Sequence, residues 1–274
     1  MATKATHALA LPGVAGGATF YHDVIAPMTQ HLPVSPLARG GYADPPGRPI
    51  VFDSWSGGEG GLWAYLRGRP ELLGAFQQLM ALDRGGGDWV GCVDFDEEGG
   101  VEEGKEEGER VVFVDVGGNV GHQARRLVER HPRLAGRVVV EDLPETVGAA
   151  AAAKGVRFLA HDFFNPQPVK GARYYYLRSV LHNWGGAKAV EILKNLAAVL
   201  AEDSRVLIDE TVVPDQGADL WVAGQDLNMM LLLGAMERRK DDWIALLDRA
   251  GLKIVDIKTY GPVTKNSIIV AMLK

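Results

Sequence analysis

The stretch FVDVGGNVGH, residues 113–122, runs from an apolar segment into a glycine-rich turn, and such a turn can close its backbone on a nucleotide. Gly117 and Gly118 allow the chain to bend and let a ligand approach without a Cβ in the way. The dinucleotide fingerprint G-x-G-x-x-G would need glycine at 117, 119 and 122, but Asn119 and His122 break it. A D-x-G-x-G-x-G reading fits better, through Asp115, Gly117, Asn119 and Gly121. Asparagine is among the residues that best replace glycine at positive φ. Asp142, in VVEDLP, follows the turn by about 20 residues, the distance at which a carboxylate accepts from both ribose hydroxyls. No arginine stands there to receive a 2′-phosphate. Asp162 and Phe163, in HDFF, pair a carboxylate with an aromatic ring and suit a purine base. Each residue alone reads equally well as a turn, a cap or core filler. Three in succession, each just after an apolar run, point to one ligand.

The elements that must position them follow from periodicity. VVFVDVG (111–117) is nearly all apolar, as a strand buried on both faces is. NVGHQARRLVERHP reads as a helix stopped before Pro132, RVVVED (137–142) as a strand, and Pro144 as the start of a helix running through the alanines at 149–153. VRFLAHD (156–162) and ARYYYLRSVL (172–181) are the next strands. An amphipathic helix over 187–203 turns Val190, Ile192, Leu193, Leu196 and Leu200 inward. SRVLIDETVV (204–213) is a strand, helices are expected near 221–234 and 240–250, and LKIVDIKTYG and NSIIVAMLK close the chain as an antiparallel hairpin. The alternation predicts an α/β fold: a doubly wound, mostly parallel, seven-stranded sheet, with ligands at the carboxyl ends of its strands.

Upstream of residue 110 the pattern differs. Residues 1–50 are rich in Gly, Pro and Ala, with one expected helix around TFYHDVIAPMTQHL. Residues 59–82 have helical spacing, restarted by Arg-Pro at 69–70. The run 94–110 holds nine acidic residues against Lys105 and Arg110 and reads as a solvated loop. Two regions are therefore expected: a mainly helical one over 1–109 and an α/β domain over 110–274.

Composition removes several classes. The chain has 274 residues and a net charge of −6, with no basic stripe to hold nucleic acid. Its single cysteine, Cys92, excludes an internal disulfide and fits a reducing, cytoplasmic location. No CxxC or HExxH spacing suggests a metal. The first residues, MATKATHALALPGVAGG, lack the apolar core of a signal peptide, and no segment reaches the roughly 18 apolar residues of a membrane span.

From about residue 110 to the end, the sequence resembles class I S-adenosylmethionine-dependent O-methyltransferases. It is most similar to the small-molecule enzymes of plant and fungal secondary metabolism, in their fungal version. The matching stretches are VDVGGNVGH, VVEDLPETV, AHDFFNPQPVKGARYYYLRSVLHNW, ILKNLAAVLAEDSRVLIDETVVPD, DLNMM and GAMERRKDDWIALLDRAGLKI, in the expected order. The resemblance implies that S-adenosylmethionine is the cofactor and leaves as S-adenosylhomocysteine, and that a small molecule accepts the methyl group. It puts Gly117, Gly118 and Asn119 beside the methionine part, Asp142 and Leu143 at the ribose, Asp162 and Phe163 at the adenine, and Arg178 near the cosubstrate. It implies that His182, in LHNW, is the general base, flanked and oriented by Glu210 and Glu237. Asp226, Asn228 and Met229 match the acceptor-pocket helix. The chemistry is compatible: a sulfonium methyl is already activated, so the protein must position the acceptor and remove its proton, and a phenol of pKa ~10 needs a base at neutral pH. His7, His22, His31, His122, His131 and His161 lack such surroundings.

Three departures from the family pattern stand out. Asn119 replaces a glycine, Asn183 stands where an aspartate is usual, and the helical dimerisation region is shortened. Alternatives to methyl transfer therefore stay open: a relative that catalyses a cyclisation or pericyclic rearrangement, or a non-catalytic partner of a complete enzyme. A homodimer or heteromer is compatible with both. Met229, Met230, Met236 and Trp243 read either as an adaptable pocket wall or as core.

Overall fold

A computed structural model describes residues 3–40, 51–58, 60–81, 88–95 and 110–274. Most of the acidic run, 96–109, lies outside the described residues. The chain forms two compact units, 1–85 with 223–237, and 86–222 with 238–274. That partition by contacts differs from a division at 110, because Trp89 and Phe95 belong to the core of the second unit and residues 223–237 join the first.

The helical unit holds α1 (Lys4–Leu9), α2 (Pro12–Phe20), α3 (Ala26–His31), α4 (Pro36–Arg39), α5 (Val51–Ser56), α6 (Gly61–Arg67) and α7 (Pro70–Ala81). This is more helix than the one segment expected over 1–50. The prolines explain part of it: Pro12 and Pro36 each sit in a first helical turn, where the missing N–H costs nothing. Between α2 and α3 the chain widens into a π-turn, Tyr21–Ile25, in which the Ala26 N–H donates to Tyr21 O. Pro27 lacks the N–H that would bond Asp23 O, and the wider turn absorbs that loss. Phe20, Val24 and Met28, one turn apart, form the core with Phe52, Leu62 and Leu66. Arg-Pro at 69–70 separates α6 from α7, as the sequence predicts.

The second unit is built on an eight-stranded sheet. Its strands are β1 (Phe113–Val116), β2 (Val138–Asp142), β3 (Val156–Ala160), β4 (Tyr174–Arg178), β5 (Arg205–Val213), β6 (Arg238–Arg239), β7 (Leu252–Thr259) and β8 (Asn266–Leu273). The order is β3-β2-β1-β4-β5-β8-β7, with the two-residue β6 paired only to the end of β5. Strands β1 to β5 are parallel, while β8 runs antiparallel between β5 and β7. The expected seven-stranded sheet and terminal hairpin are thus present, with β6 added.

Alternation along the strands divides the core. Val114, Val116, Tyr175, Leu177 and Ile208 face α10 (Gly186–Ala197) and α12 (Lys240–Arg249), where Trp243 is fully buried. Phe113, Tyr174, Tyr176 and Leu207 face α8 (His122–Arg130) and a 3-10 turn, Trp89–Cys92. The Trp89 ring lies 4.4 Å from that of Tyr176. The remaining helices are α9 (Pro144–Ala149) and α11 (Leu220–Leu233).

Four boundaries move from the expected ones. α8 starts at His122, because Asn119 and Gly121 hold positive φ. α9 stops at Ala149 and does not run through the alanines, whose carbonyls at Ala151 and Ala152 accept from the Arg125 guanidinium. α10 ends at Ala197, short of 203. β4 ends at Arg178, four residues after it begins, since Ser179 adopts φ +51 and a 3-10 turn over Leu181–Asn183 follows. Order reverses between β1 and β4, so the loops after these strands meet at the switch point of the sheet.

Candidate active site

The glycine-rich turn is a tight cradle. Gly117 and Gly118 N–H groups both donate to Glu141 O, at 2.8 and 3.1 Å, which ties the turn to β2. Gly117 has φ +72, and a Cβ there would come 3.0 Å from Val180 Cγ2 and 3.5 Å from the Phe163 ring. A Cβ on Gly118 would meet the Asp115 carboxyl carbon at 2.5 Å. Asn119 has φ +53, the left-handed conformation the sequence allows it, and its backbone N–H donates to Asp142 Oδ2 at 2.9 Å. The other oxygen, Asp142 Oδ1, accepts from the Leu143 N–H at 2.8 Å. Turn, ribose candidate and Leu143 are therefore one hydrogen-bonded group.

Asp162 Oδ1 accepts from the Phe164 N–H at 3.0 Å, and the preceding His161 N–H donates to Asp142 O at 2.9 Å. With Phe163 beside Gly117, the structure brings together Gly117, Gly118, Asn119, Asp142, Leu143, Asp162 and Phe163.

Burial makes this region hungry for a polar ligand. Asp115 Oδ2, Asn119 Oδ1 and His122 Nδ1 are buried with no hydrogen-bond partner among the described residues. Desolvation, with the Asp142 charge adding to it, pushes the Asp115 carboxyl up to about 7. Desolvation and the Arg178 charge push His122 down to about 4, so it is neutral at pH 7. Asp142 is raised too, first by burial, although its backbone hydrogen bonds oppose the shift. A cradle with no room for a Cβ and with orphaned polar atoms around it fits the polar, cationic methionine end of S-adenosylmethionine.

Arg178, the last residue of β4, makes its hydrogen bond to β5. Its Nη1 donates to Asp209 Oδ2 at 3.2 Å. Asp209 also accepts from the hydroxyls of Tyr176 and Tyr260, each at 2.5 Å. Burial opposes the Arg178 charge, but Asp209, Tyr176 and Tyr260 together more than offset this and keep the guanidinium protonated. Sequence reasoning missed Asp209, Tyr176 and Tyr260. The only available signal was an acidic pair, Asp209-Glu210, inside an apolar strand.

That pair splits across the sheet, and Glu210 serves the turn after β4. Its Oε1 accepts from the N–H groups of Val180, Leu181 and His182, at 3.0, 2.9 and 3.3 Å. Its Oε2 lies 3.5 Å from His182 Nδ1. His182 is only 8% exposed. Asn183 Nδ2 donates to Ser179 O at 3.0 Å, a bond that an ionised aspartate could not make, so this departure from the family pattern has a local use.

Glu237, Asp226, Asn228 and Met229 lie in the helical unit. Glu237 is buried at 4% exposure, and its backbone N–H donates to Asp226 Oδ1 at 2.9 Å. Asn228 Nδ2 donates to the Tyr21 hydroxyl at 3.4 Å, and Met229 is buried. Trp243 is core, while Met236 is exposed.

Fold and site define a class I methyltransferase, and comparison with known proteins agrees. The model of the O-methyltransferase domain matches residues 109–253. The chain belongs to this family of S-adenosylmethionine-dependent O-methyltransferases. Demethylsterigmatocystin 6-O-methyltransferase of Aspergillus flavus is 35% identical over 270 residues, covering 98% of this chain and 68% of that protein. The O-methyltransferase okaF of Penicillium ochrochloron is 36% identical, covering 100% and 72%. Among solved structures, LepI in complex with S-adenosylhomocysteine and a substrate analogue superposes with a TM-score of 0.91 at 30% identity, covering 100% of this chain and 70% of that one. A structure described as a pericyclic reaction enzyme matches equally well, with a TM-score of 0.91 at 30% identity over 100% of this chain and 71% of that one.

Proposed function

We propose that the protein methylates a hydroxyl of a phenolic, polyketide-like small molecule, with His182 as the general base. The observation that carries this reading is the turn after β4, where Glu210 holds the His182 backbone and stands beside its ring. A carboxylate at 3.5 Å from Nδ1 favours the tautomer protonated there and leaves Nε2 as the atom that takes the proton. When bound, S-adenosylmethionine supplies a methyl group already activated on sulfur. Gly117, Gly118 and Asn119 hold its methionine end, Asp142 and Leu143 the ribose, and Asp162 and Phe163 the adenine. Arg178 contributes charge from behind the turn, as its effects on Asp115 and His122 support. Glu237 is assigned to the base and Asp226, Asn228 and Met229 to the acceptor, on family resemblance. The single cysteine supports a cytoplasmic location, and among the described residues no helix is long and apolar enough to cross a membrane. Pairing with a second chain, like or unlike, is read from the mass in solution.

The test is turnover with methyl-labelled S-adenosylmethionine and a panel of polyketide phenols. Label should reach the acceptor oxygen. His182→Ala should lower kcat by about 10²- to 10⁴-fold, with cosubstrate affinity unchanged. Full turnover in that variant sinks the base assignment. The likeness to the pericyclic enzyme supports a second reading, a rearrangement. A product of unchanged mass, formed without cosubstrate consumption, would replace the first reading with it.

A further inference from the structure

The turn that carries His182 is gripped from two sides. Glu210 Oε1 gathers three N–H groups at its start. On the carbonyl side stands Arg238, buried at 3% exposure. Its Nη1 donates to Leu181 O at 2.8 Å and its Nη2 to Trp184 O at 2.6 Å. The two carbonyls bracket His182 and Asn183. One planar guanidinium thus bridges the turn, and its carbon lies 5.2 Å from the centroid of the Trp243 ring.

Both grips come from the same end of the sheet. Arg238 lies in β6, whose pairing puts Arg238 opposite Val212, two residues beyond Glu210 on β5. An anion on the N–H groups and a cation on the carbonyls therefore share one rigid anchor. Without the second grip, Glu210 could still hold the first residues of the turn, but nothing in this pair would fix its exit, and the imidazole would swing about the Glu210 contact. A lysine could not replace the arginine, because one ammonium on a flexible stem does not present two N–H groups in a fork.

We propose that Arg238 is a positioning residue for methyl transfer, acting on His182 through the Leu181 and Trp184 carbonyls. This rests on the reading of His182 as base. Arg238→Lys and Arg238→Ala should lower kcat by about 10- to 100-fold, the loss that follows misplacement of a reacting group by about 1 Å. The affinity for S-adenosylmethionine should move less than about threefold, because Arg238 contacts the base turn and not the cradle. Free guanidinium should restore part of the kcat of Arg238→Ala, and ¹⁵N spectra of the histidines should show His182 losing its preference for the Nδ1–H tautomer in both variants. Arg238→Lys keeps the charge and the apolar stem, so it reports where the alanine variant does not fold. Folded variants with wild-type kcat overturn the inference, as does lost turnover with an unaltered His182 tautomer. If His182→Ala itself keeps full turnover, the base reading fails first, and the tautomer spectra still decide whether Arg238 orients the ring.

Discussion

At the scale of single residues, Asn119 and Glu141 show how the backbone of the cradle is set. Asn119 holds φ +53 while giving its N–H to Asp142, so its backbone, not its side chain, makes the contact the loop needs. Asn119→Gly keeps this backbone conformation freely and loses only the orphaned Oδ1, so it should weaken cosubstrate binding less than a variant that disfavours positive φ. Asn119→Val should weaken binding by about tenfold or more, because a β-branched residue at positive φ costs roughly 1–2 kcal/mol. Calorimetry separates the two, and equal affinity in both variants would show that φ at 119 does not matter. Glu141 anchors Gly117 and Gly118 through its carbonyl, while burial pushes its side chain up to about 7 and Gln167 partly opposes the shift. The folded protein thus prefers this carboxyl neutral. Its contribution to stability is fully present below the ordinary carboxyl value of 4.5 and is lost as pH rises through about 7. Urea unfolding of the wild type should therefore lose roughly 3 kcal/mol relative to Glu141→Gln between pH 4.5 and 7.5. A difference that stays flat across that window would mean the side chain is already solvated.

At the scale of elements, glycine positions separate a turn from a helix. Gly118 has no room for a Cβ, which would sit 2.5 Å from Asp115 Cγ, whereas a Cβ on Gly74 in α7 meets nothing within 4 Å. Gly118→Ala should displace the turn, destabilise the fold by about 1–3 kcal/mol and weaken S-adenosylmethionine binding. Gly74→Ala should instead stabilise by about 0.5–1 kcal/mol, as alanine does inside a helix. Thermal unfolding with and without cosubstrate checks both signs. The same contrast explains what could be read from the sequence. β1, β2 and the terminal hairpin were legible because local apolar patterns specify them, and the cradle was legible because its residues follow those strands directly. The end of β4 was not, since YYYLRSVL is apolar on both sides of the break. What ends the strand there is Glu210, about thirty residues further on, which turns the N–H groups of 180–182 out of the ladder. The grip of Arg238 was hidden for the same reason, being 54 to 57 residues from the carbonyls it bonds. The alanine run at 149–153 misled because helix propensity is a weak prior, and Arg125 offered its carbonyls another partner.

At the scale of the whole molecule, the chain keeps two cores of separate residues, one around Phe20, Met28 and Leu66 and the other on the two faces of the sheet. The cosubstrate candidates all belong to the sheet unit, at the ends of β1, β2, β3 and β4. The orphaned atoms Asp115 Oδ2, Asn119 Oδ1 and His122 Nδ1 belong there as well. A ligand that binds only the folded state stabilises it by about 2.7 kcal/mol at a hundred times its dissociation constant. That energy reaches every segment whose opening destroys the site and no other. Hydrogen exchange along the full chain, with and without S-adenosylmethionine, should therefore slow by up to about a hundredfold at 113–121, 138–143 and 174–182. Amides of α2 and α7, whose core holds none of the cosubstrate candidates, should change by less than about threefold. If α2 and α7 slow as much as β1, the two units open as one cooperative body. If exchange at 117–119 does not slow while S-adenosylmethionine binds, the cradle lies elsewhere and the assignment of Gly117, Gly118 and Asn119 is lost.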